Sequence, residues 1–156
     1  MEPSGLSKDG SKKRPDGYTY DSFKTGKPLA WDFTCSDTLA PSHIEKSSIE
    51  AGKTAVWAEE NKFTTYGNAL RDDYHFVPIA VETFSSWGPI GHKFITDIGR
   101  TIAGITKNPK STSFIFQAIS MAVQRGNVQC VQGAYGEPAF EELDEIFYIV
   151  KPNNIF

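Results

Sequence analysis

The sequence predicts a mixed α/β fold, a small mixed sheet with helices on both faces in the order β-β-α-β-α-α. Three observations predict it. Two runs rich in aromatic and apolar residues, Tyr18–Phe23 and Pro28–Cys35, flank the turn-like "KTGK", the signature of a hairpin. A third such run, "YHFVPIAVETF" at 74–84, comes only after a long stretch of helical periodicity. Two further helical segments close the pattern, and a strand reached through a helix belongs to a layered sheet.

In the second strand, alternation places Leu29, Trp31, Phe33 and Cys35 on one face and Ala30, Asp32 and Thr34 on the other. "SDTLAPSH" is a loop that Pro41 separates from the strand. From Ser47 to Leu70 the period is helical, with Ser47 or Ser48 as the expected N-cap. At 100° per residue Ala51, Ala55, Ala58, Lys62, Tyr66 and Ala69 form one narrow stripe. Its residues are small enough to lie close on a sheet, and Lys62 sits at its middle. The third strand is apolar enough to be central and ends at Glu82, before "SSWGPIG". Residues 92–106 fit a helix with Phe94, Ile95, Ile98, Ile102 and Ile105 inward. Residues 111–132 fit another, with Phe114, Ile115, Ala118, Ile119, Ala122, Val123 and Cys130 as its apolar side. "KNPK" joins the two.

At 156 residues the chain is long enough for one domain with its own core. The expected organisation is a disordered polar tail at 1–13, a folded domain at 14–133 and a C-terminal tail at 134–156, acidic then apolar. A formal net charge of −3 leaves no global basic footprint, so nucleic-acid contact would have to be local. Two cysteines, Cys35 and Cys130, are too few for a disulfide framework and point to a reducing, intracellular setting. No run has transmembrane length, no signal-peptide core opens the chain, and no membrane partner is expected. Lys12-Lys13-Arg14 matches a minimal nuclear-import or phosphate-contacting patch, although a solvated tail has the same composition.

The chemistry concentrates around Asp16, Asp32 and Lys62. Asp32 shares its face with Ala30 and Thr34, and the helix offers an equally small face with Lys62 at its centre. Docking small on small brings an ammonium to the carboxylate. Two carboxylates with water make a hard-oxygen site suited to Mg²⁺ or Mn²⁺. A nearby lysine orients an attacking water or offsets charge building on a phosphate. One obstacle is geometric. A simple hairpin closing at Thr25-Gly26 pairs Asp32 with Thr19 and leaves Asp16 three residues away, about 10 Å at strand rise. A bulge, a longer loop or a turn that folds back is needed to bring the acids together. The plain alternative is a turn aspartate beside a salt-bridged Asp32–Lys62 pair.

"RPDG", then "AWDFTCSD", then "AEENKFTTYGNAL", then "FVPIAVETF" followed by "WG" together resemble the restriction-endonuclease-like domain of non-LTR retroelements. That domain lies at the C-terminal end of reverse-transcriptase polyproteins, within the PD-(D/E)xK nuclease superfamily. "STSFIFQAISMAVQRGNVQCV" is similar to its closing helix, so the resemblance covers residues 14–133. It implies a restriction-endonuclease-like core and a metal-dependent DNA endonuclease, nickase-like, with DNA as partner and an upstream reverse transcriptase as a possible neighbour. It also implies Mg²⁺ or Mn²⁺ held by Asp16, Asp32 and the backbone carbonyl of Phe33, with Lys62 and Glu82 completing the catalytic group. The superfamily's usual lysine position, two after the second acid, is Thr34, and Lys62 stands in for it. Another family lysine, just before the helix tyrosine, is Thr65 here. These departures keep a second expectation open, a catalytically inactive descendant that binds DNA or protein. A third is an unrelated α/β structural domain with ion-paired acids.

The remaining candidates carry less. Glu59 reads as a solvated helix-face residue or a group supporting the lysine. His43, His75 and His92 lack metal-like spacing to a cysteine or another histidine, and Cys35 reads as core rather than as a nucleophile served by His75. Trp31, Trp57 and Trp87 read as packing residues, and Lys107, Lys110 and Arg125 as surface charges within reach of a DNA backbone. "GITKNPKS" lacks the ending of a phosphate loop.

Overall fold

A computed structural model of the chain describes residues 14–67, 70 and 73–135. The predicted tails at 1–13 and from 136 onward lie outside the described residues. The element order is β1 (Gly17–Lys24), β2 (Lys27–Ser36), α1 (Ile44–Ser47), α2 (Lys53–Lys62), a π-helical turn (Phe63–Gly67), β3 (His75–Glu82), α3 (Pro89–Thr106) and α4 (Ser111–Tyr135). The three strands form one mixed sheet in the order β1-β2-β3. β1 and β2 are antiparallel and β2 and β3 parallel, with Asp32 opposite Pro78 and Ser36 opposite Glu82.

Thr25 and Gly26 both have positive φ, 53° and 74°, the requirement of a two-residue turn whose twist matches the strands. Lys24 pairs with Lys27 across it. Seven residues further along, Gly17 should face Thr34, yet its partner is Trp31. The ladder slips by three residues through irregularities between Tyr18 and Ser22 and between Ser22 and Lys24. Bulges of this kind leave extra residues on one strand and re-aim the side chains beyond them.

The sheet's two faces are covered as the alternation demands. Leu29, Val77 and Ile79 pack with Trp31, Trp87, Ile90 and Phe94, so α3 covers one face. Ala55 and Ala58 of α2 meet Ala80 on the other. Beside them Ala30, Leu70 and Phe76 pack with Tyr18, Tyr66 and Tyr74. β3 lies at the edge of the sheet and not at its centre. Its residues are buried because helices cover both faces, and Pro78, which has no N–H to donate, suits an edge.

The stretch predicted as one helix from Ser47 is broken. α1 spans four residues, and α2 begins at Lys53 after Gly52, with no cap from a neighbouring side chain. Glu82, 1% exposed at the end of β3, supplies the cap, accepting from Thr54 N–H at 2.9 Å and Ala55 N–H at 3.3 Å. A local serine cap is absent because the acceptor arrives through the tertiary fold. Glu59 does the same for α3. It is 1% exposed rather than solvated, and it accepts from Gly91 N–H at 2.7 Å and Ile90 N–H at 3.1 Å. A Cβ on Gly88 would overlap the Glu59 carboxyl group, so the approach requires glycine there.

The apolar sides predicted for the last two helices are only partly buried. Ile95 is in the core, but Ile102 and Ile105 are exposed, as are Phe114, Ala118, Ala122 and Cys130; in α4 Val123 is buried. At Gly99 the neighbour of α3 is α4 at Thr112. On β2 the alternation holds, yet Phe33 and Cys35 are exposed, beyond the part of the sheet that α3 covers. They line an apolar groove of about 650 Å³ with Ile119, Val123 and Cys130.

Removing the Glu82 carboxylate leaves two amides of α2 without their acceptor in a buried setting. Glu82→Ala is expected to lower stability by about 2–3 kcal/mol, against less than about 0.5 kcal/mol for exposed Glu45→Ala, as measured by urea unfolding.

Candidate active site

The slipped ladder decides the geometry of the site. With Gly17 opposite Trp31, the residue before Gly17 faces the residue after Trp31, and those are Asp16 and Asp32. The hydrogen bonds agree with this register. The Asp16 carboxylate accepts from Phe33 N–H at 2.6 Å, and the Asp16 backbone N–H donates to the Asp32 carboxylate. The three-residue separation expected of a simple hairpin is therefore removed by the bulges.

Asp16 is exposed and comes after Pro15, which is fully buried. The carbonyl of Arg14 accepts a hydrogen bond from the Tyr66 hydroxyl at 2.9 Å. The segment entering β1 is thus tied to the turn after α2, and Asp16 is held at the mouth of the site. Asp32 lies deeper, 2% exposed, and its Oδ2 is ion-paired with Lys62 Nζ. Lys62 is half-buried in the last turn of α2 and also lies over the Tyr66 ring, 5.9 Å from its centroid. Ala58 and Ala55, one and two turns earlier on the same stripe, set α2 close on Ala80, which is what lets a lysine reach the sheet.

Burial is the leading influence on the titratable groups of the site. Burial pushes the Asp32 carboxyl above its ordinary range; Lys62 draws it back, and the neighbouring Asp16 charge pushes it up again. The Tyr66 hydroxyl is also raised, first by burial and then by Asp32, so it stays a neutral donor. Glu59 is raised by burial against three backbone hydrogen bonds, from Gly91, Ile90 and Ala80.

Phe33 N–H points to the Asp16 side of β2. In an extended strand a residue's N–H and C=O point to the same edge, so the Phe33 carbonyl faces that side too. Two carboxylates and this carbonyl form an oxygen-only donor set, which suits Mg²⁺ or Mn²⁺ completed by water and substrate oxygens. Among the described residues, no group of three or more His, Cys, Asp or Glu side chains is arranged to hold a metal ion.

Glu82 stands apart from this group. Its register partner Ser36 lies four residues beyond Asp32 on β2, about 13 Å at strand rise, and its carboxylate is engaged by α2. Thr34 lies on β2 and Thr65 in the π-helical turn, both half-exposed. Cys35 and His75 are separated by six residues of β2–β3 register, which removes any nucleophile–base pairing between them. The member of the group that sequence reasoning missed is Tyr66. Its signal is its place four residues after Lys62 on the same stripe.

Stability should report the state of Asp32. A carboxyl whose native pKa is raised binds its proton more tightly when folded, so its charge costs stability increasingly as pH climbs from the ordinary carboxylate range through the raised value. Asp32→Asn, which mimics the protonated form, is expected to match the wild type in acid and to become relatively more stable as pH rises to neutrality. Chemical denaturation at a series of pH values measures this. A wild type that gains on the variant as pH rises would mean that the Lys62 ion pair outweighs burial.

Among the described residues, no helix is long and apolar enough to cross a membrane. No family model, curated protein or solved structure compared with the chain matches it.

Proposed function

We propose that this chain is a nuclease-like domain with a restriction-endonuclease-like core, of retroelement origin, that hydrolyses DNA phosphodiester bonds in the presence of Mg²⁺ or Mn²⁺. The observation that carries this reading is the convergence of Asp16, Asp32 and Lys62 at the slipped end of the hairpin. Two acids 16 residues apart in the chain would not be brought together by a regular ladder, and the lysine comes from a separate element.

In this reading Asp16, Asp32 and the Phe33 carbonyl would hold the cation, and the chemistry it would supply is polarisation of a phosphate oxygen and acidification of water. Asp32, closed off from solvent, gives its charge an environment in which electrostatic attraction is strong. Asp16, at the mouth, faces the incoming phosphate. Lys62, half-exposed beside Asp32, would donate through its ammonium to the phosphate oxygens on which charge builds. Water would add to phosphorus and give up its proton to solvent, the P–O bond to the sugar would break, and the leaving oxygen would take a proton from solvent. Tyr66 positions Asp16 through its bond to Arg14.

A second reading has its own support. Lys62 already neutralises Asp32 directly, and Glu59 and Glu82, the nearby buried acids, are committed to helix ends. A domain in this state would bind DNA or a protein partner without cutting.

Supercoiled plasmid incubated with Mg²⁺ or Mn²⁺ should be converted to the nicked circle by the wild type. Asp32→Ala should abolish nicking, and Lys62→Met should slow it by about 100-fold or more. Plasmid binding without nicking would favour the second reading, and equal nicking by wild type and Asp32→Ala would sink the first.

A further inference from the structure

Beside the acidic pair, β1 carries an aromatic array that the hydrolytic reading does not use. Tyr74, Tyr18 and Tyr20 succeed one another edge to face. The Tyr74 and Tyr18 centroids are 6.3 Å apart and those of Tyr18 and Tyr20 5.0 Å, with interplanar angles of 86° and 64°. Tyr18 packs with the Ala30, Leu70 and Phe76 cluster and its hydroxyl donates to that of Tyr20 at 3.0 Å. Tyr20 itself is 88% exposed. The array therefore starts against the core cluster and ends in a ring that is largely in water.

Its position gives it a use. Asp16 and Tyr18 lie opposite Asp32 and Ala30 on one face of the hairpin, and Tyr20, in ring contact with Tyr18, continues that line four residues from Asp16. Among the described strands β1 is an outer one. A solvent-facing ring supported by a second ring suits stacking of a planar group. Bases inside a duplex have both faces covered by their neighbours, whereas an unpaired base offers a free face to an aromatic side chain.

We infer that Tyr20, braced by Tyr18, is a stacking platform for an unpaired base next to the scissile phosphate, so that the preferred substrate is single-stranded or locally melted DNA. The inference rests on the nuclease-like reading for its placement, since Asp16 and Asp32 mark where the phosphate would sit. It differs from that reading in what it requires, because stacking needs no cleavage.

The test is fluorescence anisotropy with a fluorescein-labelled single-stranded oligonucleotide and the same sequence as a blunt duplex, in Ca²⁺, for wild type, Tyr20→Ala and Tyr20→Phe. The expected result is about tenfold weaker single-strand binding for Tyr20→Ala, near-wild-type binding for Tyr20→Phe, and unchanged duplex binding. Tyr20 is exposed, and circular dichroism should confirm an unaltered fold. Single-strand binding that is indifferent to Tyr20→Ala, an equal loss on both DNAs, or no binding of the single strand by the wild type would overturn the platform. Failure of the nuclease reading looks different. Plasmid would go unnicked while Tyr20-dependent single-strand binding persists.

Discussion

A carboxylate taken out of water must find compensation nearby, and this fold is arranged around three that do. Glu82 at the end of β3 receives the N-terminal amides of α2. Glu59, within α2, receives those of α3. Asp32 in the central strand receives the ammonium of Lys62 at the C-terminal end of α2. α2 is thereby anchored at its start, its middle and its end. Its buried face is Thr54, Ala55, Ala58 and Glu59, which offers little apolar area. Electrostatic anchoring and close approach, rather than bulk hydrophobic burial, set where this helix lies. Because α2 carries Lys62, the same anchors set where the lysine head is delivered.

The second determinant is the irregular ladder between β1 and β2. A turn with two positive-φ residues starts the hairpin in a regular register, and bulges then move β1 by three residues against β2. Without them Asp16 would lie opposite Cys35, about 10 Å along the strand from Asp32. With them, the Asp16 carboxylate accepts from Phe33 N–H and the Asp32 carboxylate accepts from Asp16 N–H. Pro15 and the Tyr66–Arg14 hydrogen bond hold the entry to β1 in place, so the register is supported from outside the ladder as well.

Much of this was legible in the residues. The order of strands and helices, the two faces of β2 and the pairing of Asp32 with Lys62 come from period and from the small-residue stripe. What could not be read was non-local. The start of α2 lacks a serine cap because Glu82, 28 residues downstream of Thr54, performs that role, and the predicted N-cap residues Ser47 and Ser48 instead close the short helix α1. Glu59 looks like a solvated glutamate in a linear reading, since its amide partners belong to another helix. Ile102, Ile105 and much of the apolar side of α4 are exposed because the described sheet has three strands, and amphipathic spacing does not reveal how far the opposing layer extends. The meeting of Asp16 with Asp32 needed a bulge that no turn residue announces.

Asp32 differs from the two glutamates in one physical respect. Glu59 and Glu82 are served by backbone amides, which are fixed, carry no net charge and cannot be displaced without unfolding a helix end. Asp32 is served by a lysine side chain that is half-exposed and rotatable, and it has a second carboxylate pressed beside it that raises the cost of its charge. Asp32 accepts from one backbone amide, that of Asp16, and the ammonium of Lys62 supplies the rest of its compensation. A buried acid with a removable counter-charge and an adjacent like charge is poised to exchange its partner, and local instability of this kind is common where a protein binds or reacts. That contrast within a single helix–sheet interface distinguishes Asp32 from Glu59 and Glu82 by the kind of partner that compensates its charge.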